Sequence, residues 1–189
     1  MTGPWPRPPS RVAPGAVVLV EGVSDRLAVE ALAARRGRDL AAEAVAVVPI
    51  GGAGNIRRFL GPLISEGIRL AGLCDAGEER DFRLAVERAG LGSELERAGF
   101  YVCDADLEDE LIRCLGVARV ERIVEAEGEL GRFRTFQKQP AQRARSTHAQ
   151  LRRFLGTRGG RKIQYAPVLV GALDLDRVPR PLDRVLAHV

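Results

Sequence analysis

Acidic side chains stand at the ends of short apolar segments in this chain. Glu21 directly follows the apolar run at residues 17–20, and Asp25 lies four positions further on. Asp75 follows the run at residues 69–74 in the same way. Carboxylates that come close together repel one another unless a cation neutralises them. A donor set of carboxylates, without a cluster of His or Cys, is typical of Mg²⁺ or Mn²⁺, so these residues are candidate metal ligands.

A second acidic group follows the apolar run at residues 100–103. Asp106 and Glu108 begin a segment of helical period, and Glu108 falls beside its apolar stripe. That position would turn Glu108 back toward the ends of the strands, with Asp106 as a further candidate ligand and with Asp109 and Glu110 facing solvent. An acidic surface helix that binds no metal is the alternative.

Lys162 is notable because arginine is the ordinary cation of this chain. Of its 29 basic residues, only Lys138 and Lys162 are lysines. A compact ammonium suits a single phosphoryl oxygen, whereas arginine offers a bidentate fork. Lys162 is therefore a candidate phosphate ligand, although a lysine at this position by chance is the alternative.

The elements that must position these residues are short strands alternating with helices. Apolar runs occur at residues 17–20, 44–48, 69–74 and 100–103, separated by segments of helical period. This alternation predicts an α/β fold, a four-stranded parallel sheet flanked by helices. Ligands of such sheets bind beyond the carboxyl ends of the strands, where Glu21, Asp75 and Glu108 fall. From residue 131 onward no strand is predicted: helices are expected at residues 146–155 and 162–173, whereas residues 132–142 give a mixed pattern that Pro140 breaks.

The loops after the first two strands allow plainer interpretations. The glycine-rich turn at residues 51–54 lacks the G-x-G-x-x-G spacing of a dinucleotide site, and the chain has no P-loop motif. We predict a tight turn from strand to helix there. Ser24 could simply cap the helix after the first strand, with Asp25 in its first turn.

Composition excludes several classes of protein. A chain of 189 residues with 46% hydrophobic content can form one folded core. No apolar run approaches the ~20 residues of a membrane span, so no membrane partner is expected. Residues 1–15 contain five prolines and no apolar stretch, which predicts a flexible arm rather than a signal peptide. Three cysteines and two histidines indicate neither a disulfide framework nor a zinc site and favour the reducing cytoplasm.

The charge of the chain is unevenly distributed. The net charge is only +4, but residues 130–173 contain ten Lys and Arg residues and no Asp or Glu. This segment indicates a polyanionic partner, with a solvated basic face as the alternative. The candidate nucleic-acid contacts are Arg143, Arg145, Arg152, Arg158 and Arg161.

In this order, the motifs resemble a TOPRIM domain, the metal-binding α/β module of topoisomerases, bacterial primases and several nucleases. The resemblance rests on Val20-Glu21-Gly22-Val23-Ser24-Asp25, the turn Ile50-Gly51-Gly52 and the strand end Leu73-Cys74-Asp75. More narrowly, the chain resembles the TOPRIM half of the OLD-family (overcoming lysogenization defect) nucleases. Asp106-Leu107-Glu108 and Lys162 match that family's D-L-E motif and later lysine.

The resemblance implies a Rossmann-like TOPRIM core over residues 16–116, after the arm at residues 1–15. A basic helical part at residues 117–189 would complete the site. It also implies two Mg²⁺ or Mn²⁺ ions held by Glu21, Asp25, Asp75 and Glu108. Lys162 would stabilise charge on the scissile phosphate. The implied activity is hydrolysis of DNA as an endonuclease or nickase, with Glu21 and Lys162 as the catalytic residues.

The chain departs from the family pattern in two respects. Asp75-Ala76-Gly77 has glycine where TOPRIM domains carry a second Asp, and Glu78 or Glu79 are candidate replacements. The ATPase domain of OLD nucleases is not seen, so the chain is expected to be either a standalone nuclease or the partner of a separately encoded ATPase. A non-catalytic TOPRIM module that binds nucleic acid in repair or recombination is the main alternative. A primase is possible by fold only, a ribosomal-RNA maturase would also carry D-x-D, and a topoisomerase would need a further domain.

Overall fold

The computed structural model describes residues 14–158 and 160–189, so that most of the predicted arm at residues 1–15 lies outside the described part of the chain. The strands are β1 (Ala16–Val20), β2 (Val45–Pro49), β3 (Arg69–Cys74) and β4 (Phe100–Val102). All three pairings are parallel, and the strand order is β2-β1-β3-β4. The predicted four-stranded parallel sheet is confirmed.

Helices connect the strands and then make up the rest of the chain. They are α1 (Val23–Arg35), α2 (Ile56–Ser65), α3 (Glu79–Arg88), α4 (Leu107–Leu115), α5 (Val117–Ala126), α6 (Leu130–Gln137), α7 (Pro140–Arg143), α8 (Thr147–Gly156), α9 (Arg161–Gly171) and α10 (Arg180–His188). Short 3-10 turns precede α2 and α3, at Ala53–Asn55 and Ala76–Glu78. Among the described residues, no helix has both the length and the apolar composition needed to cross a bilayer.

The strand order opens a crevice at one edge of the sheet. From β1 the chain crosses to β2 on one side, and β3 then pairs with the other side of β1. Where the order reverses in this way, the loops leave the carboxyl edge in opposite directions. Val20 pairs with Leu73 at that edge, so the residues that follow β1 and β3 start out side by side.

Each face of the sheet has its own apolar core. Helices α2 and α3 cover one face, with Phe59, Leu63 and Phe82 among the buried residues. The other face packs against α1 and the helices from α4 onward. A β-carbon at Gly72 would overlap the ring of Phe100, so the middle of β3 requires a glycine.

The late helix α9 is fastened to the first helix of the fold. Helix α9 lies along α1. The Arg35 guanidinium of α1 donates to the carbonyl oxygens of Val170 and Leu173, both at 2.8 Å, because the last carbonyls of a helix lack partners within it. This contact fixes α9 across the sheet and brings its N-terminal turn to the edge where the strands end.

Candidate functional site

Glu21 and Asp75 meet at the crevice between β1 and β3. The Asp75 backbone N–H donates to Glu21 Oε1 at 2.9 Å, which anchors the glutamate across the two strands. Burial is the main reason that the pKa of Glu21 is raised to about 8. The neighbouring Asp75 and Glu78 carboxyl groups raise this pKa further, while the Asp75 amide opposes the shift. Glu21 therefore lies in an environment where negative charge is already crowded.

Glu78 is the acid that joins Glu21 beyond the end of β3. Its carboxyl group raises the pKa of Glu21, and its Oε2 accepts from the Ala53 backbone N–H at 3.2 Å. The glycine-rich turn thus contacts Glu78. We call the acids at this edge of the sheet the acidic group: Glu21, Asp25, Asp75, Glu78, Asp106 and Glu108. Glu79, the other candidate for the missing second Asp, forms an ion pair with Arg83 within α3. Of the two acids, Glu78 is the one whose charge acts on Glu21.

Asp25 approaches the same group from the first turn of α1. Gly22 is the N-cap of this helix, and its backbone N–H donates to Asp25 Oδ2 at 2.8 Å. The proposed capping role of Ser24 is therefore wrong, because Ser24 lies inside the helix. Burial raises the pKa of Asp25 to about 6, with Glu108 adding to the shift and Lys162 opposing it.

Asp75 lies among several carboxylates. Burial raises the pKa of Asp75 to about 7, and the charges of Asp25, Asp106 and Glu108 raise it further. The Lys162 ammonium lowers it. These mutual effects show that acids from β1, α1, β3 and α4 share one region at the carboxyl edge of the sheet.

Glu108 and Lys162 form an ion pair within this region. Glu108 is buried near the start of α4, and the Lys162 Nζ of α9 donates to its Oε2 at 2.7 Å. Burial by itself lowers the pKa of Lys162, but the carboxylates of Glu108, Asp106 and Asp75 outweigh it, and the pKa lies above its ordinary value. Two residues that are 54 positions apart are thus joined at the strand ends.

Asp106 caps α4 and is also ion-paired. It accepts from the Asp109 backbone N–H at 2.8 Å and from Arg152 Nε at 2.7 Å. The cap satisfies one of the free amides of the first helical turn. Arg152, predicted to bind nucleic acid, is therefore engaged with the acidic group instead of lying free on the surface.

The expectation that Asp109 and Glu110 face solvent is wrong. Glu110 is 6% exposed and accepts from the Asp104 backbone N–H at 2.9 Å. Asp109 is half-buried, and its Oδ1 lies 2.7 Å from Nε2 of His148. These partners belong to the β4–α4 loop and to α8, so the pattern of α4 alone gives no sign of them.

Arg161 is buried, which contradicts its predicted contact with nucleic acid. Only 6% of the residue is exposed, and its guanidinium pairs with Glu129 at 2.8 Å. Arg143, Arg145 and Arg158 are exposed, as contact with a partner requires. This burial could not be read from the local pattern, because Glu129 lies 32 residues earlier in the chain.

The acidic group fits a hard divalent cation in the chemistry of its donors. Its carboxyl oxygens are the ligands that Mg²⁺ and Mn²⁺ favour, and the raised pKa values of Glu21, Asp25 and Asp75 reflect repulsion and burial that a cation would relieve. Within residues 14–158 and 160–189, no three His, Cys, Asp or Glu side chains are already arranged as a metal site. The carboxylates of the acidic group are instead held by hydrogen bonds from the Gly22 and Asp75 backbone amides and from Lys162.

Comparison with known proteins identifies relatives of this fold. Residues 15–76 match the family model of the overcoming lysogenization defect protein-like TOPRIM domain. The C-terminal region of the Xanthomonas campestris pv. campestris OLD protein has a TM-score of 0.72 at 21% identity, over 93% of this chain and 92% of that one. The C-terminal region of the Burkholderia pseudomallei OLD protein has a TM-score of 0.71 at 18% identity, over 94% of this chain and 97% of that one.

A search of curated proteins found no match. At these low identities, the similarity to solved structures establishes the fold, and the family model covers the part that contains Glu21, Asp25 and Asp75. Residues 15–76 thus match the OLD-like TOPRIM domain, and the chain as a whole has a fold similar to that of the C-terminal region of OLD proteins.

Proposed function

We propose that this chain is a divalent-metal-dependent nuclease that hydrolyses DNA phosphodiester bonds. The observation that carries the proposal is the meeting of four carboxylates from β1, α1, β3 and α4 with a single ammonium, Lys162, at the edge of the sheet. The OLD-like TOPRIM domain supports a nuclease-type module. We propose Glu21, Asp25, Asp75 and Glu108 as the residues that hold Mg²⁺ or Mn²⁺.

The metal ions, when bound, would supply an activated water and stabilise the leaving oxygen of an in-line displacement. Glu21 is held by the Asp75 backbone N–H, so its carboxylate keeps one orientation during the reaction. Lys162 presents its Nζ beside Glu108 and would donate to a non-bridging oxygen of the scissile phosphate. The raised pKa of Lys162 keeps this ammonium protonated at neutral pH.

The exposed basic side chains of the C-terminal half would hold the DNA backbone. Lys138, Arg143, Arg145 and Arg153 are exposed and have no ion-pair partner among the described residues. Arg158 is 66% exposed, and its Nη1 lies 4.0 Å from Glu129 Oε1, which is too far for a hydrogen bond. Contacts of this kind position a duplex without reading its sequence.

The first test is cleavage of supercoiled plasmid in Mg²⁺, Mn²⁺ or EDTA. We expect metal-dependent nicking or linearisation by the wild-type protein and none by Glu21→Gln. Glu87→Gln removes an exposed acid of α3 and serves as the matched control, which should cleave normally. Equal cleavage in EDTA, or by Glu21→Gln, would contradict a metal-dependent site at Glu21.

A second test concerns Lys162. If its ammonium contacts the scissile phosphate, Lys162→Ala should abolish turnover while the affinity for DNA changes little. Gel-shift and cleavage assays on one oligonucleotide separate the two effects. A parallel loss of binding and cleavage would show that Lys162 only holds the nucleic acid.

One observation favours a second function, a TOPRIM module that binds nucleic acid without cutting it. Asp75-Ala76-Gly77 lacks the second acid of the D-x-D motif. Binding without cleavage in any metal would support that function, or a requirement for a separately encoded ATPase.

We place the protein in the reducing cytoplasm, since all three cysteines are free and Cys74 and Cys103 are buried.

A further inference from the structure

Arg161 and Glu129 form a buried ion pair immediately beside Lys162. Arg161 is the first residue of α9, and its side chain is 6% exposed, while that of Glu129 is 7% exposed. The guanidinium binds the carboxylate in a bidentate way, with Nε to Oε2 at 2.8 Å and Nη2 to Oε1 at 3.0 Å. Two parallel hydrogen bonds fix the direction of the guanidinium as well as its position.

The remaining nitrogen of Arg161 reaches the end of α8. Its Nη1 donates to the Phe154 carbonyl oxygen at 2.8 Å and to Thr157 Oγ1 at 2.9 Å. The guanidinium also stacks on the Phe154 ring, 3.9 Å from its centroid. One side chain thus joins the first turn of α9 to the end of α8 and to Glu129, the N-cap residue of α6.

The N-cap of α9 offers no side chain that could fix the start of the helix, and the other contact of the first turn, from Gln164 to Glu127, is exposed. The N-cap is Gly160, at φ +85°, and a glycine offers no capping oxygen. Adjacent residues of an α-helix point ~100° apart, because a turn takes 3.6 residues. A guanidinium locked inward at residue 161 therefore sets the direction in which the side chain at 162 leaves the helix.

We propose that the Arg161–Glu129 pair is a positioning device that fixes the first turn of α9, so that the Lys162 ammonium is held against Glu108. Arg161 acts through Lys162 and touches neither metal nor DNA. The effect of this pair on cleavage rests on the proposed function of Lys162. Its effect on the position of the ammonium does not rest on that function.

A purely stabilising role explains this arrangement less well. Burying two charges has a large desolvation cost, and an apolar pair of similar volume often gives equal or greater stability. A bidentate pair instead fixes the orientation of the helix turn that carries it. The neighbouring Lys162 needs this, because a four-carbon lysine side chain is flexible.

The chain is well suited to a direct test, because it has only two lysines, Lys138 and Lys162. Reductive methylation with ¹³C-formaldehyde labels both while keeping their charge. Lys162→Arg assigns the signal in the ¹³C NMR spectrum, and Glu108→Gln gives its position without the ion pair. We expect Arg161→Gln to move the Lys162 signal to the position seen in Glu108→Gln, with the exposed Lys138 signal unchanged.

Arg132→Gln is the matched control, because Arg132 pairs with the same carboxylate at 3.3 Å from the exposed side. It should leave the Lys162 signal in place. If Arg161→Gln does not fold, as judged by circular dichroism, Glu129→Gln tests the same pair without changing the shape of its side chain. A Lys162 signal at the wild-type position in a folded Arg161 or Glu129 variant overturns the proposal.

Kinetics separates this inference from the proposed function. A displacement of about 1 Å at a reacting group costs about 100-fold in rate, so Arg161→Gln should lower kcat by about that factor with little change in KM. If the wild-type protein cuts no DNA but the NMR shift is observed, the positioning device stands and the nuclease proposal fails. If the protein cuts DNA and Arg161→Gln cuts equally fast, the positioning device fails.

Discussion

At the scale of single residues, neighbours of the same type have different environments. Glu78 accepts from the Ala53 amide and raises the pKa of Glu21, whereas the next residue, Glu79, pairs with Arg83 within α3. The sequence offers both as replacements for the missing second Asp and cannot separate them. The difference comes from the 3-10 turn before α3, which directs only Glu78 toward the crevice.

We therefore expect Glu78→Gln to weaken Mn²⁺ binding measured by titration calorimetry, because one carboxylate donor is lost beside Glu21. Glu79→Gln removes a charge at the adjacent position and should leave the affinity unchanged. Equal affinities in the two variants would exclude Glu78 as a ligand.

The raised pKa values also predict how stability depends on pH. The folded protein holds protons on Glu21, Asp75 and Asp25 up to about pH 8, 7 and 6, whereas the unfolded chain releases them near pH 4. The contribution of these groups to the free energy of unfolding is therefore fully present below about pH 4. It is lost as the pH rises through 6 to 8.

Divalent cations should oppose this loss. We expect Mg²⁺ to raise the Tm more at pH 8 than at pH 5.5 in differential scanning calorimetry, because the carboxylates are ionised at the higher pH. In Glu21→Gln the difference should shrink. A Tm increase that is the same at both pH values would show that the cation does not act on these carboxyl groups.

At the scale of elements, α4 shows what its own sequence can and cannot predict. The apolar stripe of Leu107–Leu115 predicts the helix with its correct bounds and the inward position of Glu108. The burial of Glu110 could not be predicted, because its partner is the backbone amide of Asp104 in the loop before the helix, which the helical period does not include. Local periodicity identifies elements, but contacts between elements decide which charged residues are buried.

The other elements follow the same rule. The central strands β1 and β3 were predictable because their apolar runs are buried on both faces, as parallel strands require. The segment from residue 132 to residue 142 was not, since it contains two short helices, α6 and α7, separated before Pro140. Of the candidate site, the acids at the strand ends and Lys162 could be proposed from the sequence, whereas the burial of Arg161 depends on Glu129 and Phe154.

The cap of α4 gives a prediction for this element. Asp106→Ala should lower the free energy of unfolding by about 1 kcal/mol, through loss of the N-cap bond to Asp109. Asp106→Asn keeps a capping oxygen and should lose less. Urea denaturation measures both, and equal losses would assign the effect to the ion pair with Arg152 instead.

At the scale of the whole molecule, the basic segment is partly neutralised from within. Six of the ten basic residues between 130 and 173 lie within 4.0 Å of a carboxylate, and all of these carboxylates lie between residues 106 and 129. The unequal charge of the two halves therefore serves folding as well as any partner. What remains for a polyanion is the exposed set proposed above, which includes Arg143 and Arg145.

This smaller set limits the salt dependence of DNA binding. Each phosphate contact on duplex DNA contributes about 0.9 to the slope of log affinity against log salt. Replacing both Arg143 and Arg145 by Gln should thus lower the slope by about 1.8. Arg83→Gln, which changes an arginine paired within α3, is the control and should leave the slope unchanged.

The bond between Arg35 and the end of α9 has a consequence for synthesis. It joins residues 135 positions apart, and Lys162 belongs to the same late helix. Domains begin to fold as the chain leaves the ribosome, N-terminal part first. A nascent chain that has emerged as far as residue 120 contains all four strands and the acids that follow them, but not the lysine that pairs with Glu108. The proposed cutting site is therefore incomplete until residue 162 has left the ribosome, so a nascent chain with the four strands alone should not cleave DNA.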